Sequence, residues 1–158
     1  MSGRIRLSST PKTIAGILRD HRRIAVDSNI LIYLLVGSGE RAESAARLVD
    51  AIADGRIEGT LATVGLSEIL VSTARAGDRT AFERTGAMLR DVGLRIVVLD
   101  ADTAEHAAWI RGGTGLALPD AIHLACAIRV GATAFVTNDR RIRSIPNLDV
   151  IYLDDLVA

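Results

Sequence analysis

A single cysteine, Cys126, rules out an internal disulfide. It falls within an apolar run, LACAI, and reads as a packing residue rather than a nucleophile. Aromatic residues make up only 3% of the chain. That scarcity disfavours a β-sandwich and leaves aliphatic side chains to fill the interior. Lysine is nearly absent, with Lys12 the only one, so arginine carries almost all the positive charge. Arginine suits phosphate, because its planar fork donates two hydrogen bonds at once. The formal net charge is zero, so no global basic field advertises a polyanionic partner, and any such contact needs a local patch. No apolar run approaches the length of a membrane span. Ile14 to Leu18 is too short for the core of a secretion signal. A cytoplasmic location is the expectation.

What is present is aliphatic. Hydrophobic residues are 49% of 158, enough for one domain with a substantial core and too many for a disordered chain. Residues 1–9 read as loose. Thr10 and Pro11 read as a cap and first-turn proline, followed by a short helix over 11–21 with Ile14, Ile17 and Leu18 at helical spacing. His21-Arg22-Arg23 is a basic cluster at its end, read as a solvated helix terminus, with RNA contact as the alternative. Ile24-Ala25-Val26 is a buried strand candidate that Asp27 ends, and Ser28-Asn29 can cap the apolar stretch 30–36.

A helix over 40–54 follows, with Ala42, Ala46, Val49 and Ala53 as its inner face. Thr60 to Thr63 is a second strand, 65–76 a helix with Glu68 near its first turn, and 79–91 another helix. Ile96 to Leu99 is the clearest strand, being continuous and mostly β-branched. Asp102 or Thr103 caps a helix through Ile110, in which Trp109 reads as packing, and Gly112 to Gly115 reads as a loop. The stretch from Leu118 opens a helix with Pro119 in its first turn, closes it at Gly131, and enters a buried strand, Ala134 to Thr137. Val150 to Tyr152 is an edge strand candidate. Strands alternating with helices predict a doubly wound α/β fold with a parallel sheet.

Four acids stand out by position. Asp27 and Asp139 lie at or just past strand ends, while Glu68 and Asp120 open helices. Singly, each has a plain explanation: a helix start, a favourable dipole contact or a turn. Jointly, they fall on the edge of a parallel sheet where strand C-termini and helix N-termini meet and ligands bind. Two like charges about 4 Å apart repel by roughly 4 kcal/mol at an effective dielectric near 20. Either some protonate or a cation enters. Carboxylates without thiolate or imidazole make a hard-oxygen site suited to Mg²⁺ or Mn²⁺. Such an ion activates water and stabilises a leaving oxygen in phosphoryl hydrolysis. No Walker-type loop and no GxSxG turn is present.

The segments VDSNILIY, TVGLSEIL, LPDAIHLACA and VTNDRR, in that order, make the chain resemble the PIN-domain ribonucleases, in particular the VapC toxins of toxin–antitoxin pairs. The resemblance covers about residues 23–153. It implies a three-layer α/β/α fold with a central parallel sheet of four to five strands. It divides the chain into an N-terminal extension with a short helix, residues 1–22, and a nuclease domain, residues 23–158. It implies metal-dependent endoribonuclease activity, with Asp27, Asp120 and Asp139 as metal ligands and Glu68 holding or activating water. Asn29 and Thr137 would order the site. Arg140, Arg141 and Arg143 would grip the RNA backbone, or else form a solvated loop. His123 reads as packing or support rather than a general base. Expected partners are RNA, a cognate antitoxin and a second copy of the chain. Two alternatives remain. One is a phosphatase with an aspartyl nucleophile, although Asn29 stands where its second acid belongs. The other is a non-catalytic RNA-binding or interaction module.

Overall fold

A computed structural model describes residues 10–157. The reading of residues 1–9 as loose lies outside the described residues. The sheet forms from five short strands: β1 (Arg23–Val26), β2 (Glu58–Ala62), β3 (Arg95–Val97), β4 (Ala134–Thr137) and β5 (Asp149–Tyr152). Their order is β3-β2-β1-β4-β5, and every pairing is parallel. Each strand must therefore be followed by a crossover, and helices supply the crossovers from β1 to β4.

The helices are α1 (Ile14–Asp20), α2 (Ser28–Val36), α3 (Glu40–Ala53), α4 (Thr63–Arg75), α5 (Arg79–Asp91), α6 (Ala101–Thr114) and α7 (Leu118–Arg129). A single 3₁₀ turn, Leu153–Asp155, follows β5. Side chains alternate across the sheet as a period of two requires. Ile24, Val26, Ala134, Val136 and Ile151 face one core with α1, α2 and α3. Ala25, Phe135 and Val150 face the other, with α6 and α7. The result is the expected α/β/α sandwich.

The strand order reverses between β1 and β4. The chain builds outward from β1 through β2 to β3, then returns to the other side of β1. Crossovers leaving β1 and β4 diverge there, so a crevice opens beyond the C-terminal ends of these two strands. Asp27 follows β1, and Asn138 and Asp139 follow β4.

Several local expectations change. The first helix begins at Ile14, not at residue 11, because Thr13 caps it by accepting from the Gly16 amide. Ile17 is fully buried in the main core, so this helix is packed onto the sheet layer. The inner face of α3 is Ser44, Ala45, Leu48, Val49, Ala51 and Ile52. Ala42 and Ala46 are only half-buried and Ala53 is exposed, because the wider leucine and isoleucine side chains turn toward the sheet.

The strand with the strongest β-branched signal, β3, is a three-residue edge strand, and Val98 beyond it is 68% exposed. Asp100, rather than Asp102 or Thr103, caps α6 by accepting from the Thr103 amide. That helix also runs through Gly112 and Gly113, which were expected in a loop, and stops only at Gly115, whose φ of +74° a side chain disfavours. Glycine costs about 1 kcal/mol per helical position, and the helix nonetheless continues through both, with Ala107 and Ile110 buried against α7. Trp109 is 82% exposed rather than packed. Thr103, Ala107 and Ile110 take the inward positions of α6, and Trp109 points away from them.

Candidate metal centre

Asp27 occupies the capping position of α2, yet its side chain makes no capping bond. It is 5% exposed and turned into the crevice. Its Oδ2 accepts from the Thr137 hydroxyl at 2.7 Å and the Asn29 amide at 3.4 Å, while Oδ1 accepts from the Ser28 hydroxyl at 3.3 Å. Thr137 is fully buried, and its oxygen also accepts from the Asp139 amide at 3.0 Å and from Asn29 at 3.3 Å. One hydroxyl thus ties the ends of β1 and β4 together. The plain reading of Asp27 as a helix cap does not hold.

Glu68 lies in the second turn of α4, since the first turn carries no acid. The dipole reading therefore fails for it as well. It reaches across to α7, where its Oε1 hydrogen-bonds His123 Nε2 at 2.8 Å. The same nitrogen stands 3.6 Å from Asp27 Oδ1. Asp27, Glu68 and His123 each offer a ligand atom, and these atoms lie within 4.8 Å of one another. The candidate group contains an imidazole beside its two carboxylates, where a purely carboxylate cluster was expected. His123 is 2% exposed and belongs to this group directly. Its spacing, three residues after Asp120 and so on the same helical face, was the available signal.

Asp120 sits in the first turn of α7, directly after Pro119, and is half-buried. Burial, followed by the charges of Asp27 and Asp139, raises its pKa above the ordinary carboxylate range. It is not a member of the tight group of ligand atoms, although the charges of Asp27 and Asp139 act on it. Asp139 is engaged elsewhere. Its carboxylate accepts from the Arg141 backbone amide at 2.9 Å and from both Nε and Nη2 of the Arg141 guanidinium, the latter at 2.6 Å. These bonds hold its pKa below the usual range. Arg141 and Asp120 together line a cavity of about 210 Å³ bounded by Thr114, Gly115, Leu116 and Ala117.

The other two arginines differ. Arg140 donates two bonds to Asp155, at 2.8 and 2.6 Å, and lies 4.1 Å over the Tyr152 ring. Arg143 is exposed and has no ion pair among the described residues. Cys126 is 1% exposed, and burial raises its thiol pKa, so the packing reading stands.

The family model for the PIN domain matches residues 24–148. The chain belongs to the PIN-domain family. No curated protein matches it significantly by sequence. Solved structures do match. One is VapBC2 from Rickettsia felis bound to a DNA fragment from their promoter, with a TM-score of 0.67 and 16% identity, covering 82% of this chain and 98% of that one. Another is a toxin–antitoxin complex from Klebsiella pneumoniae, with a TM-score of 0.60 and 24% identity, covering 79% and 94%. A third is VapC20 of Mycobacterium tuberculosis, a toxin that cleaves the sarcin–ricin loop, with a TM-score of 0.57 and 20% identity, covering 71% and 86%. At these identities the likeness speaks to the fold.

Within this PIN domain the residues suit a divalent cation. Asn29 Oδ1 is buried without a hydrogen-bond partner, although its amide nitrogen is satisfied twice. A buried carbonyl oxygen left unpaired costs about 1–3 kcal/mol. An incoming cation or its water would satisfy it. A buried carboxylate and an exposed one converging on a buried imidazole likewise invite positive charge.

Proposed function

We propose that this PIN domain is a divalent-metal-dependent endoribonuclease that hydrolyses RNA phosphodiester bonds, and that it is the toxin of a toxin–antitoxin pair. The observation that carries the reading is the buried Asp27 carboxylate at the sheet's reversal point, with Glu68, His123 and Asp120 around it, in a chain of this family. Asp27, Asp120 and Asp139 would hold Mg²⁺ or Mn²⁺. A bound ion of this kind supplies an activated water and stabilises the leaving oxygen.

The chain's own groups do the rest. Thr137 and Asn29 fix the Asp27 carboxylate by hydrogen bonds, so little reorganisation is needed when the site charges. Glu68, exposed on its outer side, can accept a proton from an attacking water. Arg141 would exchange Asp139 for a phosphate oxygen of the substrate, since an exposed pair is worth little and a bidentate phosphate contact more. Arg143 is free to meet the backbone further along, and Arg140 would do so only by giving up Asp155.

An aspartyl-phosphate mechanism is less favoured. It needs an acid at position 29, and Asn29 there is an amide that donates to Asp27 and Thr137. The structural neighbours solved as toxin–antitoxin complexes support an antitoxin as partner; a second copy of the chain and a cytoplasmic location belong to the same proposal.

The test is cleavage of structured and single-stranded RNA by the purified chain, with Mg²⁺ or Mn²⁺ and with chelator. Wild type should cut only with metal. Asp120→Asn should remain folded and lose at least ~100-fold in rate. Equal cleavage by the variant, or cleavage in chelator, refutes the assignment. A folded wild type that binds metal and cuts no RNA favours the non-catalytic module.

A further inference from the structure

We propose that His123 Nε2 is a direct metal ligand, so that the site takes a first-row transition dication such as Mn²⁺ in preference to Mg²⁺. This rests on the reading of the Asp27 cluster as a cation site and adds a donor and a selectivity to it.

The argument begins with immobility. His123 is 2% exposed. Its ring meets α4 at Gly65, where an added Cβ would stand 2.7 Å from His123 Cε1 and 2.6 Å from Leu61 Cδ1. Glycine at 65 makes the room that the ring occupies. On another side the ring lies against Phe135, with centroids 5.8 Å apart and planes tilted by 51°. The imidazole is thus wedged between α4 and β4, with Nε2 aimed at Glu68 Oε1 and Asp27 Oδ1, at 2.8 and 3.6 Å.

The two separations from Nε2, 2.8 and 3.6 Å, fall in the range found between ligand atoms on one ion. Around a six-coordinate ion with bonds of about 2.1 Å, adjacent ligand atoms stand about 3 Å apart and opposite ones about 4.2 Å. The three candidate atoms fall within 4.8 Å of one another. A dication held on Asp27 Oδ1 therefore lies within bonding reach of Nε2, which stands 3.6 Å from that oxygen. A ring N–H pointed at that ion would be repelled by it, and the wedged ring cannot turn away. On loading, Nε2 therefore gives up the proton it shares with Glu68 and turns its lone pair to the metal, with the remaining ring proton on Nδ1.

The consequence is chemical selectivity. Mg²⁺ prefers oxygen donors and keeps its waters, whereas imidazole binds first-row transition ions well. Two carboxylate oxygens with one imidazole nitrogen therefore favour Mn²⁺ and the ions beyond it. The other two histidines lie elsewhere. His21 bonds Thr133 ahead of β4, and His106 lies on α6.

The experiment is pulsed electron paramagnetic resonance of the full chain, stripped with chelator and loaded with Mn²⁺, with titrations of Mn²⁺ and Mg²⁺ by calorimetry. Wild type should show nitrogen coupling to Mn²⁺ that changes to the ¹⁵N pattern when only histidine is ¹⁵N-labelled. His123→Gln should lose that coupling and weaken Mn²⁺ at least ~10-fold, with a smaller change for Mg²⁺. The labelled wild type needs no substitution, so misfolding of the variant does not obscure the result. Mn²⁺ bound without histidine nitrogen coupling overturns the proposal and leaves the nuclease reading standing. Coupling that persists in folded His123→Gln also overturns it. A wild type that binds neither ion removes both readings.

Discussion

Replacing Thr137 with valine isolates the work of one buried hydroxyl. The side chain keeps its shape and loses a donor to the Asp27 carboxylate at 2.7 Å and an acceptor for the Asp139 amide at 3.0 Å and the Asn29 side-chain amide at 3.3 Å. A hydrogen bond to a charged group is worth about 1.5–3 kcal/mol. The Asp139 amide is only partly buried, so water can replace some of its loss. A net destabilisation of about 2–3 kcal/mol is expected. In a domain of this size that lowers Tm by roughly 4–12 °C. Urea unfolding and thermal melts of metal-free protein measure it. Thr137→Ser is the control: it keeps the hydroxyl and deletes one buried methyl, for about 1 kcal/mol. The two variants should separate further in metal binding. Valine should weaken Mn²⁺ by about 10–100-fold, as loss of a group that orients a ligand does, and serine should stay near wild type. If valine costs no more than serine on both scales, the hydroxyl does not organise Asp27 and the account of the site is wrong.

Asp120 and Asp139 should respond to pH in opposite senses. Burial and its acidic neighbours raise the Asp120 pKa in the folded state, so its ionisation destabilises the metal-free protein as pH rises through that value. Asp120→Asn should therefore melt higher than wild type in chelator at neutral pH. The gap should close in acid, below about 3.9, and a gap that widens there contradicts the argument. Arg141 lowers the Asp139 pKa, so its contribution holds at neutral pH and is lost as pH falls through the folded value. Asp139→Asn should cost stability at neutral pH only, by thermal melts across pH. Gly65→Ala would bring a methyl within 2.7 Å of the His123 ring. Overpacking of this kind costs about 1–3 kcal/mol, and the displaced ring should weaken Mn²⁺ binding in the same calorimetric titration. Unchanged affinity in a folded variant would mean that the ring is not wedged.

Much of the architecture was legible because strand and helix periodicities are local. Ala134 to Thr137 is apolar on both faces, and the structure buries all four residues at the sheet centre. The acids at strand ends were legible for the same reason, since an acid after a buried strand must emerge at one edge of a parallel sheet. Where local signals compete, tertiary packing decided. Gly112 and Gly113 argued for a loop, and α6 runs through both, although they are exposed, in a helix whose Ala107 and Ile110 are buried in the core with α7 residues. Trp109 argued for burial, and Ala107 with Ile110 took the inward positions of α6 instead.

By itself, then, the order of residues determined that helices would alternate with parallel strands, and that Asp27 and Asp139 would leave strand ends at one edge of the sheet. Only the tertiary structure decided which charges meet. Glu68 and His123 lie on different helices, 55 positions apart, and nothing local to either predicts a 2.8 Å contact. Asp139 is bonded to Arg141, two residues away, by a turn whose geometry depends on where β4 ends. Backbone periodicity is a short-range property, whereas a site built from side chains of four elements exists only after the sheet's reversal between β1 and β4 has brought those elements to one crevice.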